Sequence, residues 1–205
     1  MKSGMKISWR ATDMRDSVVA DSTFYSCCAC DIRRKDILFR FLSVYSFFLG
    51  DKIFGELPEP LTNDSGFTRL VTTYNFDYYQ LIKPFFGRNP CHINDGEYEA
   101  IGIGYMLDAQ GKLRFLILDD RRPNKFAKRH FSNLEPRVKG TIGFVQEACC
   151  EDQRISPDQV LEFLIKIETV FTNGEKQRPC SIDPEILRTI LMPAIEYIRN
   201  YHVSA

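Results

Sequence analysis

Neither sign of charge is in excess in this chain: 27 Lys and Arg stand against 27 Asp and Glu, and the isoelectric point is about 6.8. A surface that is basic all over is therefore excluded, and any polyanion has to meet a local patch of cations. Histidine is scarce, and His92, His130 and His202 are scattered, so none of them stands out as a base or ligand. Long apolar runs are missing as well. The most hydrophobic window, Ile37 to Leu49, carries Arg40 inside it, and Met1 to Ser17 is polar and charged. The expectation is a chain that is not exported, does not enter a membrane and resides in the cytoplasm. No internal repeat or low-complexity tract interrupts it.

Cysteine is not scarce, yet its spacing suggests no metal knuckle. Cys27, Cys28 and Cys30 lack the two-residue gap of common zinc sites, and no matched pair follows them. With no oxidising compartment implied, all seven cysteines, including Cys91, Cys149, Cys150 and Cys180, read as reduced thiols, most of them in the core. A chain of 205 residues that is 44% hydrophobic is long enough for one well-buried core. The expected division is an N-terminal extension over 1–16 and a single domain over 17–205 that ends in a helical segment.

Apolar runs and helical periodicities alternate along that domain. Ser17 to Ala20 reads as a buried strand handing over to a helix at Asp21-Ser22-Thr23, and Phe24 to Val44 is mostly helical. Phe47 to Phe54 reads as a second strand, interrupted by Gly50 and Asp51. The stretch from Leu57 to Pro90 is bracketed by prolines, with a helical middle. Its aromatics, among them Tyr74, Phe76, Tyr78, Tyr79, Phe85 and Phe86, read as core packing, with base stacking the competing use. A helix with a small-residue face opens at Gly96, and Leu113 to Leu118 is the clearest strand, ending in Asp119-Asp120. A basic helix follows over Arg121 to His130, then a short strand and turn over Val138 to Gly143. Ser156-Pro157-Asp158-Gln159 opens a capped helix, and Pro193 divides a last helical stretch over Pro179 to Asn200. The alternation predicts an α/β fold, a three-layer α/β/α sandwich around a central, mostly parallel sheet.

In such a sheet the loops at the carboxyl ends of the strands form the ligand crevice. Asp21 and the Asp119-Asp120 pair fall there, and Glu97 opens a helix beside them. Taken singly, Asp21 is explained as a helix cap and Glu97 as a partner of a helix dipole. Taken together, close carboxylates disfavour one another's charge unless a cation joins them, which points to a hard metal such as magnesium or manganese. Arg121, Arg122, Lys125, Lys128 and Arg129 follow at once and form a patch suited either to a phosphate backbone or to plain solvation.

Four segments, in this order, resemble the PIN (PilT N-terminus) family, which includes VapC-type toxin ribonucleases. Val18 to Thr23 resembles the opening strand with its acid and hydroxyl residue. Gly96-Glu97-Tyr98-Glu99-Ala100-Ile101 resembles the helix start of one prokaryotic branch. Leu116 to Arg122 resembles that branch's strand with its acidic pair and two arginines, and Gly140 to Val145 its Gly-Thr-hydrophobic-Gly turn. The chain departs from the pattern at Pro123, where glycine is usual, and in the length of Leu57 to Pro90. The resemblance implies a metal-dependent endoribonuclease acting on single-stranded RNA, with Asp21, Glu97 and Asp119 as metal-binding acids and Asp120 a neighbour able to replace Asp119. A further acid is expected after the second strand; Glu56 is the choice, with Glu59 and Asp51 competing. Arg121, Arg122 and Lys125 would meet the nucleic acid. A toxin's role with an antitoxin partner, and a homodimer, are implied in the same way. Two other readings stay open: a catalytically silent PIN-like interaction module, and a nuclease directed at DNA.

Overall fold

The computed structural model describes residues 16–75, 77–86, 95–175 and 179–204. Apart from Asp16, the expected extension over 1–16 lies outside them, as do Phe76, Cys91 and His92. The chain runs β1 (Ser17–Ala20), α1 (Ser22–Ser26), a π turn over Cys27–Asp31, α2 (Lys35–Val44), β2 (Ser46–Leu49), α3 (Asp51–Glu56), α4 (Glu59–Thr62), α5 (Ser65–Leu70), β3 (Val71–Thr73) and α6 (Tyr78–Ile82). After α6 come a 3₁₀ turn over Lys83–Phe86, α7 (Gly96–Ala109), β4 (Leu113–Ile117), α8 (Arg121–His130), β5 (Val138–Lys139), α9 (Thr141–Cys150) and α10 (Pro157–Thr172). The C-terminal part holds α11 (Pro184–Ile186), a π turn over Leu187–Leu191 and α12 (Met192–Ser204).

The strands form a five-stranded, all-parallel sheet in the order β3-β2-β1-β4-β5, flanked by helices as a three-layer α/β/α sandwich. The register explains how both faces are covered. Val18 pairs with Phe47 and Phe115, and Val19 with Phe48 and Leu116, so alternation sends the two rows to opposite faces. The Val18 row meets α2 and α9, where Phe144 sits among Phe24, Phe41, Tyr45, Phe47 and Phe115 with ring centroids 5.1–6.2 Å apart. The Val19 row meets α7. There Gly104 lets the helix approach until a β-carbon on it would stand 3.2 Å from Leu116. The small-residue face expected of this helix serves that contact.

At the amino ends of the strands, Asp152 ties the layers together. It accepts hydrogen bonds from the Tyr45 hydroxyl at 2.8 Å and from Arg114 at 2.6 and 3.3 Å. Arg154 stacks over the Tyr45 ring at 4.6 Å and bonds to Asp16 at 2.6 Å. Burial alone would raise the Asp152 carboxyl, but the bonds from Arg114 and Tyr45 outweigh it and hold the acid below its usual range. Asp152→Ala should therefore lower the unfolding free energy by about 2–4 kcal/mol, because two donors lose a partly buried charge. Urea denaturation of the variant checks this, and a change below about 0.5 kcal/mol would reject the assignment.

Three expectations need correction. The second strand stops at Leu49 instead of running to Phe54, because Gly50 is extended and the helix α3 begins at Asp51. The turn expected after β5 is the start of α9, with Gly140 at its cap position. Cys27 and Cys180 form a disulfide across 153 residues and are not thiols, since the turn at Pro179–Ser181 packs on α1 and the π turn after it. The Cys180 N–H donates to Asp31 at 2.9 Å beside the bond. Cys28 and Cys149 are buried free thiols, as expected, while Cys30 is exposed and Cys150 only partly buried instead of lying in the core; burial pushes the Cys149 thiol up to about 12. Among the described residues no helix is long and apolar enough to cross a membrane.

Candidate functional site

The strand order reverses direction between β1 and β4, and in a parallel sheet such a point opens a crevice at the carboxyl ends. Asp21 follows β1 directly. It is fully buried, and its Oδ1 accepts the Thr23 and Phe24 N–H groups at 3.1 and 3.3 Å, so it does cap α1. Its second oxygen does something a cap does not require: Oδ2 accepts the Asp119 N–H at 3.3 Å. The two acids expected to share a site are thus joined across adjacent strands.

Asp119 is fixed in turn by the start of α9. The Thr141 N–H donates to Oδ1 at 2.7 Å and the Thr141 hydroxyl to Oδ2 at 2.6 Å. Burial raises the Asp119 carboxyl to about 6, helped by the charge of Asp120 and opposed by the two bonds from Thr141. Burial also raises Asp21 well above the usual range, and the charges of Asp119 and Glu97 push in the same direction. Glu97, half-buried on the first turn of α7, is raised by burial and by the charges of Glu56, Asp95 and Asp120. Glu97 and Asp120 line a cleft of about 390 Å³ with Asp95, Tyr98, Arg121, Arg122 and Pro123.

Glu56 is the acid that reaches this region from α3. Its carboxylate accepts the Ser22 hydroxyl at 2.7 Å and the Gly96 N–H at 2.8 Å, which links the helix after β1 to the first turn of α7. A β-carbon at Gly96 would lie 2.5 Å from Glu56 Oε2, so the glycine makes this approach possible. Asp51 stands at the other end of α3, where it acts on Glu99, and Glu59 is exposed on α4.

Two residues that carry the arrangement were not singled out by their sequence. Glu99, 5% exposed, accepts the Ile53 N–H at 2.8 Å and so anchors the beginning of the helix that presents Glu56. Its burial raises it, with the charge of Asp51 adding to this and the N–H groups of Ile53 and Lys52 opposing it. Thr141 holds Asp119. Both stand inside the segments that resemble PIN domains, but nothing local marks their role. Because the Glu99 carboxylate fills the space above Gly50, a β-carbon there would lie 2.2 Å from Glu99 Cδ. Gly50→Ala should cost about 1–3 kcal/mol, since a buried, bonded carboxylate would have to move. A thermal melt matching that of the unaltered protein would refute this reading of Glu99.

The basic patch is divided. Arg121 lines the cleft and is also ion-paired to Glu185 at 2.9 Å and Asp183 at 3.6 Å. Arg122 lines the cleft, while Lys125, Lys128 and Arg129 are exposed on α8.

The donors fit a hard divalent cation in kind, being carboxylates from β1, α7 and β4 whose charges act on one another. Among the described residues, no three of them stand close enough to enclose an ion as they are placed. No protein-family model matches the chain, and neither curated proteins nor solved structures yield a match.

Proposed function

We propose that this chain is a metal-dependent nuclease that hydrolyses phosphodiester bonds in single-stranded RNA, the activity that its resemblance to PIN domains implies. The observation that carries the reading is the meeting of Asp21 and Asp119 at the point where the sheet reverses, with burial raising both carboxyls above the usual carboxylate range. Buried acids in that state, with Glu97 pressing on one of them, gain stability when a cation arrives. Asp21, Glu97 and Asp119 would hold the ion, Mg²⁺ or Mn²⁺, which supplies a water of lowered pKa and neutralises charge on the phosphate oxygens.

The protein's own groups do the rest. Thr141 keeps both Asp119 oxygens oriented, Asp120 and Glu97 face the cleft, and Glu56 braces α1 against α7 through Ser22 and Gly96. Arg122 and Lys125 offer the phosphate backbone its cations, and Arg121, also in the cleft wall, is paired to Glu185 and Asp183.

The test uses the purified chain with labelled single-stranded RNA and the matching DNA, in Mn²⁺, Mg²⁺ or EDTA. RNA cleavage in the metals, none in EDTA, and a melting temperature several degrees higher with metal are expected. Preference for DNA would move the substrate, and no cleavage with no thermal shift would leave an interaction module in place of an enzyme.

A further inference from the structure

A ladder of aromatic rings leads out of the cleft to an exposed phenylalanine. Tyr98, in the cleft wall, lies 5.0 Å from Phe126 and 5.2 Å from Phe86, centroid to centroid, and Phe86 stacks on Phe126 at 5.1 Å. Phe85 ends the ladder. Its ring is wedged against His130 at 4.7 Å, Phe131 at 5.2 Å and Phe126 at 6.0 Å, yet 42% of the residue faces solvent. A ring so fixed on one side and open on the other differs from one that fills the core, where Phe24, Phe41 and Phe144 are wholly covered.

The helix beneath it decides what the open ring suits. On α8, Phe126 and His130 follow one another at a four-residue interval, under Phe85. Arg122 stands four residues before Phe126 and Arg129 three after it, so an exposed basic stripe, Arg122, Lys125 and Arg129, borders the aromatic one. Parallel rows of cations and rings, continuous with an acidic cleft, match a polymer that has both a phosphate backbone and flat bases.

We infer that Phe85 is a stacking platform for a base of single-stranded nucleic acid whose backbone runs along Arg122, Lys125 and Arg129 toward the cleft. The inference rests on the nuclease reading for where the strand is led, but the platform is measured by binding and not by cleavage. A duplex, whose bases are already stacked, would not use it.

The experiment measures fluorescence anisotropy of a labelled oligouridylate and of an abasic ribose-phosphate strand of equal length, in Ca²⁺ buffer. The unaltered protein, Phe85→Ala, Phe85→Leu and Phe85→Trp are compared. Phe85→Ala and Phe85→Leu should weaken oligouridylate binding by about 5- to 150-fold, the effect of losing one stacked base, and leave the abasic strand unchanged. Phe85→Leu keeps an apolar contact with α8, so a loss shared by both variants with unaltered melting is not a folding defect. Phe85→Trp should bind like the unaltered protein, with added indole emission quenched by the oligonucleotide. Equal losses on both strands, no loss on either, or no binding by the unaltered protein would overturn the platform. Cleavage with Phe85-independent binding removes the platform alone, while Phe85-dependent binding without any cleavage in Mn²⁺ removes the nuclease alone.

Discussion

Asp119→Asn should abolish metal-stimulated RNA cleavage, a fall on the order of 10³-fold, in a protein that is as well folded as its parent. The substitution suits the geometry. The asparagine oxygen can still accept the Thr141 N–H, and its amide can donate to the Thr141 hydroxyl, which reverses its role without moving. What disappears is one charge from a cation site. With that charge gone, repulsion on Asp21 falls, and the metal-free variant should melt no lower than the metal-free parent. Cleavage retained by a folded Asp119→Asn protein would remove Asp119 from the site.

The pH dependence of stability follows from the same carboxyl. Asp119 has a folded pKa of about 6 against an ordinary 3.8, so between those values the folded chain holds a proton that the unfolded chain releases. The stabilisation is fully present below about pH 4 and is lost as the pH rises through 6, and Asp21, raised by burial, acts in the same direction. In EDTA the contribution from these groups should therefore favour pH 5 over pH 7.5, and saturating Mn²⁺ should reverse the preference. Melting curves of the parent and of Asp119→Asn across that range isolate it, because the variant lacks the Asp119 part of the slope.

The second large effect concerns the disulfide. Joining Cys27 to Cys180 closes a loop of 153 residues, for which chain entropy gives a stabilisation of about 5 kcal/mol, with observed cases commonly at about 2–5. Reduction, or Cys180→Ser, should lower the melting temperature by about 10 °C in a chain of this length. Melts with and without reductant, with alkylation and mass analysis of the Cys27 and Cys180 peptides, read out both the bond and its effect. Identical melts in the two conditions would mean that the link contributes nothing. Cys27 follows α1, whose first turn Asp21 caps, so a loosened link should also show as weaker metal protection at Asp21.

The parts of this fold that could be read from the sequence are those that local chemistry decides. β1 and β4 are apolar runs ending in acids, α10 opens on the capping box of Ser156 and Gln159, and α7 carries its small residues where the sheet comes close. The sequence pattern puts Asp21 and Asp119 at the carboxyl ends of parallel strands, and the pairing of β1 with β4 sets them side by side. What escaped depends on distant partners. Ile53 and Phe54 prolong the apolar run of Phe47 to Leu49, and the carboxylate that receives the Ile53 N–H at the start of their helix, Glu99, lies 46 residues later. β3 is a three-residue edge strand with two exposed threonines, too short and too polar to register as one. The Cys27 link spans most of the chain, and the capture of Arg121 by Glu185 belongs to a helix at the other end of it.

The sheet's two borders are small. β3 contributes three residues and β5 two, so little unpaired backbone is left for a foreign strand to extend. Among the described residues, the sheet edges therefore give copies of this protein little template for growing a continuous ribbon.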